Sequence, residues 1–179
     1  MTSNCNEKYT YDELLIKKGS DIGYGDLLMT SEWCLKRKEI IERDHNKCKV
    51  CKAEETIFLE RGLHVNVDFI YENFEVEPVL RDADKQIILH VHHTYYILDK
   101  LPWEYDNDSL LTLCHNCHYD LHKDEEIPVY SSTGELLARI SPCERCNGSG
   151  YLQQYSYVKG GVCFKCNGAK YNRLFNFIS

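Results

Sequence analysis

Apolar and polar positions along the chain first predict a helix over residues 31–44. Its apolar side chains share helical spacing and are Trp33, Ile40, Ile41 and, at the edge of the stripe, Cys34. Thr30 or Ser31 is suited to cap its first turn. Its other surface is basic and holds Lys36, Arg37, Lys38 and Arg43. Such a surface is either solvated or a phosphate contact, so Arg37, Lys38 and Arg43 are candidate nucleic-acid contacts.

Two other segments alternate apolar and polar side chains with the period of a strand. Residues 65–72 and residues 86–92 each place apolar groups at every second position, which is typical of half-exposed strands. Acidic side chains around Pro78 predict a solvated turn between the two strands. Residues 129–140, with a Thr-Gly pair at their centre, predict a β-hairpin. The chain is therefore expected to be of the α+β class.

Cysteine usage adds metal chemistry to this picture. The chain holds 10 cysteines, and eight of them form CxxC pairs: Cys48 with Cys51, Cys114 with Cys117, Cys143 with Cys146 and Cys163 with Cys166. The first thirty residues lack a secretory apolar segment, and no apolar run approaches the ~20 residues that span a bilayer. We therefore expect a cytoplasmic protein with no membrane partner, in which paired CxxC knuckles bind zinc. Cys5 and Cys34 are expected to be free thiols.

The four pairs predict two structural zinc sites. The first consists of Cys48, Cys51, Cys114 and Cys117, and the second of Cys143, Cys146, Cys163 and Cys166. Four thiolates complete the tetrahedral coordination of zinc and leave no open position for a substrate. Redox-active CxxC pairs are the alternative, but they would require a thioredoxin-like βαβ setting, which the pattern does not show.

Charge is distributed unevenly along the chain, whose net charge is −7. Residues 53–138 hold eighteen acidic and five basic side chains, whereas residues 139–179 hold one acidic and six basic. A phosphate backbone would therefore bind to local basic patches and not to the protein surface as a whole. In the basic tail the candidate nucleic-acid contacts are Tyr151, Tyr155 and Lys159, because cations beside aromatic rings bind backbones and stack on bases. The alternative is that these rings pack a small core. We predict that the tail positions DNA and that the preceding domain retains the chemistry without it.

The most distinctive stretch, residues 89–122, is rich in histidine. His92 and His93 end an apolar run, and neighbouring strand residues point to opposite faces, so they should not bind the same ion. His118 and His122 follow the second CxxC knuckle and lie four residues apart, which places them on one face of a helix. The stretch therefore predicts a compact cation site with a separate free base.

The pattern HH…LxxLCxxCHxxxH, with the upstream knuckle RDHNKCKVC, resembles the Cys-knuckle branch of the HNH endonucleases. The resemblance covers roughly residues 31–124. It implies a ββα-metal nuclease domain, followed here by a small zinc ribbon, that hydrolyses DNA phosphodiester bonds. It implies that His92, His118 and His122 bind one catalytic divalent metal, Mg²⁺, Mn²⁺, Ni²⁺ or Zn²⁺, in addition to the two structural Zn²⁺ ions. It implies that His93 is the general base, a task suited to a side chain with a pKa of ~6.5.

One position departs from the family pattern. Ser109 stands where the family has its middle Asn, which fixes the loop under the base, and Asn107 lies two residues before it. Both are therefore candidates for that role. The alternative function is a non-catalytic zinc module that binds nucleic acid or protein.

The C-terminal knuckles, CERCNGSG and CFKCNGAK, form an internal repeat that resembles the cysteine-rich zinc region of DnaJ chaperones. We divide the chain into residues 1–30, an N-terminal segment with no assigned chemistry, residues 31–127, the nuclease domain, and residues 128–179, the hairpin and zinc ribbon.

Overall fold

The computed structural model describes residues 8–59, 63–72, 75–148, 150, 152–155, 157–158, 161–166 and 171. These residues form a mixed α+β structure with three small sheets and two four-cysteine groups. The α-helices are α1 (Tyr11–Lys18), α2 (Tyr24–Leu27), α3 (Ser31–Arg43) and α4 (His115–Asp124). Among the described residues, no helix has the length and apolar character needed to cross a membrane.

The eight strands of the described residues form three sheets, in which two pairings join strands that are not consecutive in the chain. The strands are β1 (Ile57–Leu59), β2 (Leu63–Glu72), β3 (Glu75–Ala83), β4 (Leu89–His93), β5 (Tyr96–Ile97), β6 (Leu110–Cys114), β7 (Ile127–Tyr130) and β8 (Leu136–Ile140). The sheets have the orders β1-β2-β3, β4-β6 and β5-β7-β8. These two pairings are the antiparallel pair of β4 and β6 and the parallel pair of β5 and β7.

Helix α3 confirms the predicted helix. The Thr30 hydroxyl accepts a hydrogen bond from the Trp33 backbone N–H at 3.3 Å, which satisfies one of the free donors of the first turn. Arg37, however, lies on the buried face with Trp33 and Ile40. It is four residues after Trp33 and three before Ile40, and this spacing keeps all three on one side of the helix. The prediction that Arg37 belongs to the basic surface was therefore wrong.

The β4-β6 sheet and α4 form the part of the fold that carries the histidines. The two strands are antiparallel, with His92 opposite Leu111. Strand β6 leads directly into α4, and the Cys114 sulfur accepts a hydrogen bond from the Cys117 N–H at the helix start. Ile41 of α3 packs in one buried cluster with Leu89 and Leu113 of this sheet, and Leu121 of α4 packs against that cluster. A ten-residue helix is marginal alone, so this packing and the knuckle hold α4 in place.

The predicted turn at Pro78 was wrong. Residues 75–83 form strand β3, and Pro78 pairs with Phe69 of β2. In the described residues β3 pairs with β2 alone and is an edge strand. Proline is tolerated there because its missing N–H would face solvent.

The β5-β7-β8 sheet crosses the predicted domain boundary. Strands β7 and β8 confirm the predicted hairpin, and Tyr96 and Ile97 form β5, which pairs with β7. A two-residue strand has no periodicity to detect. Tyr96, Ile127 and Tyr171 share one buried cluster. The segments 31–127 and 128–179 therefore have a common core.

Candidate metal sites

The first cysteine group brings together two CxxC pairs that are far apart in the chain, since 63 residues separate Cys51 from Cys114. The sulfurs of Cys48, Cys51, Cys114 and Cys117 all lie within 4.8 Å of one another. Burial raises the pKa of the Cys48 thiol, but backbone N–H groups of Cys114, Cys51 and Val50 donate to its sulfur and lower the pKa to about 6. Because the thiolate is the form that binds zinc, this group could bind a structural zinc ion.

The second cysteine group has the same arrangement. The sulfurs of Cys143, Cys146, Cys163 and Cys166 are all buried and lie within 4.8 Å of one another. The Gly150 N–H donates to the Cys146 sulfur at 3.3 Å. This group could also bind zinc. Of the two remaining cysteines, Cys34 is disulfide-bonded, so the prediction of a free thiol was wrong there, and Cys5 lies outside the described residues.

Three histidines form a third group with no thiolate. The rings of His92, His118 and His122 each offer one nitrogen, and these nitrogens lie within 4.8 Å of one another. The Nε2 atoms of His118 and His122 are 2.8 Å apart, and the His92 ring lies edge-on to His122, with 4.7 Å between centroids. Imidazoles suit several divalent metals, and three ligands leave coordination positions open. The group could therefore hold a metal that also binds water or substrate.

A cavity of about 120 Å³ lies beside these histidines. Its lining consists of Tyr24, Leu28, Trp33, Arg37, His90, Val91, His92, His93, Tyr96, His118, His122 and Tyr171. Its volume exceeds the roughly 10–15 Å³ that one water molecule requires. His90, on the same face of β4 as His92, stacks on the His118 ring at 5.2 Å.

Arg37 contributes a positive charge to the wall of the cavity. Its Nη2 donates to the Leu89 carbonyl at 2.6 Å, and the Glu55 carboxylate lies 4.0 Å away. Burial lowers the pKa of Arg37 and Glu55 opposes the shift, yet arginine stays protonated in proteins. Its Nη1 is buried and has no hydrogen-bond partner among the residues that the structure describes. This nitrogen is thus a donor suited to an anionic ligand.

His93 lines the same cavity but has other neighbours than His92. Its Nε2 lies 3.0 Å from the Pro102 carbonyl. A carbonyl only accepts, so in the neutral ring Nε2 carries the hydrogen and Nδ1 is the basic nitrogen. The Tyr24 hydroxyl lies 3.5 Å from Nδ1, and the ring stacks on Trp33 at 5.1 Å. These contacts fix a tautomer that could accept a proton at Nδ1.

Ser109 and Asn107 have different surroundings. The Ser109 hydroxyl donates to the Asp106 carbonyl at 2.7 Å, and the Ser109 carbonyl accepts from both the N–H and the hydroxyl of Thr94 at 3.0 Å. Ser109 therefore holds the residue that follows His93. The Asn107 side chain instead accepts from Lys36 and donates to Glu39, both of α3 and both at 2.6 Å. It ties the loop to α3.

The candidate nucleic-acid contacts on α3 also differ from one another. The Arg43 guanidinium donates to the Asn107 carbonyl, to the Leu110 carbonyl at 2.8 Å and to the Asp44 carboxylate at 2.8 and 3.0 Å. It joins α3 to the loop before β6. Lys38 is exposed and lies 3.8 Å from Glu42, so its ammonium is accessible.

In the tail, Tyr155 packs against the second cysteine group, whereas Tyr151 and Lys159 lie outside the described residues. Sequence reasoning missed Arg145, whose guanidinium lies 3.9 Å from the centroid of the exposed Phe164 ring. This pair presents a cation and an aromatic face together.

The tail also reaches the histidine site, which the sequence did not indicate. The Tyr171 hydroxyl lies 3.0 Å from His122 Nδ1, and a Cβ on Gly148 would lie 2.6 Å from His122 Cβ. Because 49 residues separate Tyr171 from His122, no spacing pattern could reveal this contact. The tail therefore packs against His122, a candidate metal ligand. This contact does not favour the expectation that the preceding domain retains the chemistry without the tail.

Comparisons with known protein families, with curated proteins and with solved structures found no significant match to this chain. What the chain does is therefore inferred from its residues and their geometry.

Proposed function

We propose that the chain is a metal-dependent HNH endonuclease that hydrolyses DNA phosphodiester bonds. The observation that carries the proposal is the convergence of His92, His118 and His122 on one cavity that His93 also lines. These are the four histidines on which the family resemblance rests. Strands β4 and β6 with α4 serve in this proposal as the ββα-metal unit, and residues 143–166 serve as the zinc ribbon.

His92, His118 and His122 would hold one divalent cation, Mg²⁺, Mn²⁺, Ni²⁺ or Zn²⁺, in addition to the two structural zinc ions. Such a cation stabilises the negative charge that develops on a phosphate and its leaving oxygen. The three buried histidines would bind the cation without a carboxylate ligand, so coordination positions of the cation would stay open for the substrate. By resemblance, the products are a 5′-phosphate and a 3′-hydroxyl.

His93 takes the proton of the attacking water at Nδ1. The Pro102 carbonyl keeps the hydrogen on Nε2, and Ser109 holds the adjacent Thr94, so the ring is oriented before substrate arrives. A base placed in this way contributes roughly 10²–10⁴-fold to a rate. Arg37 supports an anionic substrate, because its buried Nη1 has a donor to offer at the same cavity.

A plasmid-nicking assay tests the proposal. Purified protein should convert supercoiled plasmid to open circles or linear DNA when Mg²⁺, Mn²⁺, Ni²⁺ or Zn²⁺ is supplied, and EDTA should stop the reaction. His93→Ala should lose the activity. The matched control is His45→Asn, since His45 is exposed and has a positive φ of 59°, which Asn also tolerates. Cleavage by His93→Ala at the wild-type rate would contradict the proposal.

The alternative is a non-catalytic zinc module that binds nucleic acid or protein. The observation in its favour is the packing of His93, which stacks on both Trp33 and Tyr96 and is only 3 % exposed. A histidine in such a place also stabilises a core. Binding of DNA without metal-dependent cleavage under all four metals would favour this alternative.

A further inference from the structure

Tyr171 follows the last cysteine in sequence but lies in the wall of the histidine cavity. It is 1 % exposed, and its ring lies edge-on to His122, with 5.2 Å between centroids. Its hydroxyl is 3.0 Å from His122 Nδ1 and 3.4 Å from Nε2, so Nδ1 is the nearer partner. The side chain therefore contacts a candidate metal ligand, and Nδ1 of that ligand is closer to it than Nε2.

The two nitrogens of His122 have separate tasks in this arrangement. Nε2 faces Nε2 of His118 at 2.8 Å, which makes it the nitrogen suited to the cation. Nδ1 then carries the hydrogen and donates it to the Tyr171 oxygen. Histidines that bind metals are commonly oriented by a hydrogen bond from their second ring nitrogen.

Tyr171 itself packs against Tyr96. Burial raises the pKa of Tyr96, and the neighbouring hydroxyls of Tyr24 and Tyr171 oppose this shift. The rings of Tyr96 and Tyr171 lie edge-on, with 5.9 Å between centroids. Tyr96 thus packs beside the Tyr171 ring, whose hydroxyl is placed to accept from His122.

The second cysteine group holds Tyr171 in this place. The backbone of Tyr171 forms an antiparallel bridge with Pro142, the residue before Cys143. Gly148, in the turn after Cys146, has a φ of +76° and approaches His122 so closely that a Cβ would lie 2.6 Å from the His122 Cβ. The turn after Cys146 and the Tyr171 side chain therefore both lie against His122.

We propose that Tyr171 is a positioning residue for His122, and that zinc in the second cysteine group raises the metal affinity of the histidine site by holding Tyr171 against it. The inference rests on cation binding by His92, His118 and His122, which is part of the proposed function, but it does not require DNA cleavage.

A Co²⁺ titration of the full chain, with zinc retained in both cysteine groups, tests the proposal through visible absorption. Tyr171→Phe should raise the Kd of the histidine site by about 10–100-fold, the usual effect of losing such a hydrogen bond. The matched control is Tyr119→Phe. The Tyr119 hydroxyl accepts from Asn147 at 3.0 Å, so this variant also loses a hydroxyl between α4 and the knuckle, and it should keep the wild-type Kd. Cys163→Ser, which removes a ligand of the second cysteine group and is titrated with zinc retained in the first group alone, should raise the Kd at least as much as Tyr171→Phe. An unchanged Kd in this variant would overturn the role of the second zinc.

A second measurement needs no variant. In the wild-type protein with Zn²⁺ at the histidines, long-range ¹H–¹⁵N correlation should show His122 protonated at Nδ1. Protonation at Nε2 instead, or equal Co²⁺ affinity in wild-type and Tyr171→Phe protein, would overturn the role of Tyr171. Failure of the wild-type histidines to bind Co²⁺ would overturn this inference together with the catalytic metal of the proposed function.

Discussion

His92 and His93 are consecutive residues of β4, yet their rings have different neighbours. The His92 ring lies edge-on to His118 and His122, at 5.3 and 4.7 Å. The His93 ring stacks on Trp33 and lies edge-on to Tyr105. The alternation of a strand thus separates a candidate ligand from a candidate base without any loop between them.

This separation predicts different effects for two substitutions. His93→Ala should leave the affinity for the catalytic metal nearly unchanged and lower the cleavage rate by at least ~10²-fold, because it removes a general base. His118→Ala should weaken metal binding, because it removes a ligand. Metal titration and single-turnover cleavage of both variants check this. Equal metal affinities and equal residual rates would contradict the two roles.

The cysteine groups predict the metal content of the purified protein. Elemental analysis should find two tightly bound zinc ions per chain, one for each group of four sulfurs. Cys114→Ser should lose one of them and unfold the region around α4, because structural zinc contributes on the order of 10 kcal/mol to the folding of small modules. Zinc-free protein with oxidised CxxC pairs would contradict this prediction.

We expect the buried Asp44 carboxylate to make a pH-dependent contribution to the free energy of unfolding. Its carboxylate is 1 % exposed and accepts from Arg43 at 2.8 Å and from the Thr112 N–H at 3.1 Å. Burial raises its pKa, but these hydrogen bonds outweigh burial and the pKa is lowered. Asp44→Asn should therefore lower the free energy of unfolding by about 1.5–3 kcal/mol at pH 7.

A folded-state pKa below the unfolded one stabilises the protein above the unfolded pKa of ~3.9. That contribution is lost as the pH falls through the folded pKa of Asp44. Urea unfolding at buffered free zinc should show a constant difference between wild type and Asp44→Asn from about pH 5 to 7, and a shrinking one below about pH 4. A difference independent of pH would exclude the charge of Asp44 as its origin.

Because Arg37 lines the cavity, we expect its substitution to weaken the binding of DNA. Lysine keeps the charge, but all its donors are on one nitrogen, so in Arg37→Lys an ammonium that binds the Leu89 carbonyl leaves no nitrogen at the place of Nη1. The KM for DNA should rise about tenfold, which corresponds to one hydrogen bond to a charged group. Lys17→Met is the control, since it removes a positive charge from an exposed side chain of α1, outside the cavity, whose ammonium donates to the Tyr9 hydroxyl at 2.7 Å. An unchanged KM in Arg37→Lys would assign Arg37 to the core alone.

Local spacing predicted the parts of the site that lie close together in sequence. The cap and stripe of α3, the His118–His122 pair and the alternation at His92 and His93 all depend on the repeat of one helix or strand. Arg37 was within reach of the same reasoning, because it falls between Trp33 and Ile40 on the apolar stripe. Its charge led to the expectation of an exposed position, but the Leu89 carbonyl and Glu55 compensate its burial.

The parts that sequence reasoning missed depend on contacts between distant segments. Tyr24, Tyr96 and Tyr171 come from α2, β5 and the tail, and each is an ordinary tyrosine in its local sequence. They meet because β5 pairs with β7 and because the turn after Cys146 packs on α4. No local repeat encodes such a meeting, so neither the shared core nor the neighbours of His122 could be inferred.

Pro78 has a consequence for how the chain meets copies of itself. An edge strand of nine residues offers a row of free N–H and C=O groups on which a second chain can add a strand. Pro78 lies in the interior of that strand and has no N–H to give, so the outer row of donors is interrupted. The exposed charge of Asp82 further disfavours the edge-to-edge approach of a second strand. The residue expected to end a strand instead protects its edge against intermolecular β-sheet growth.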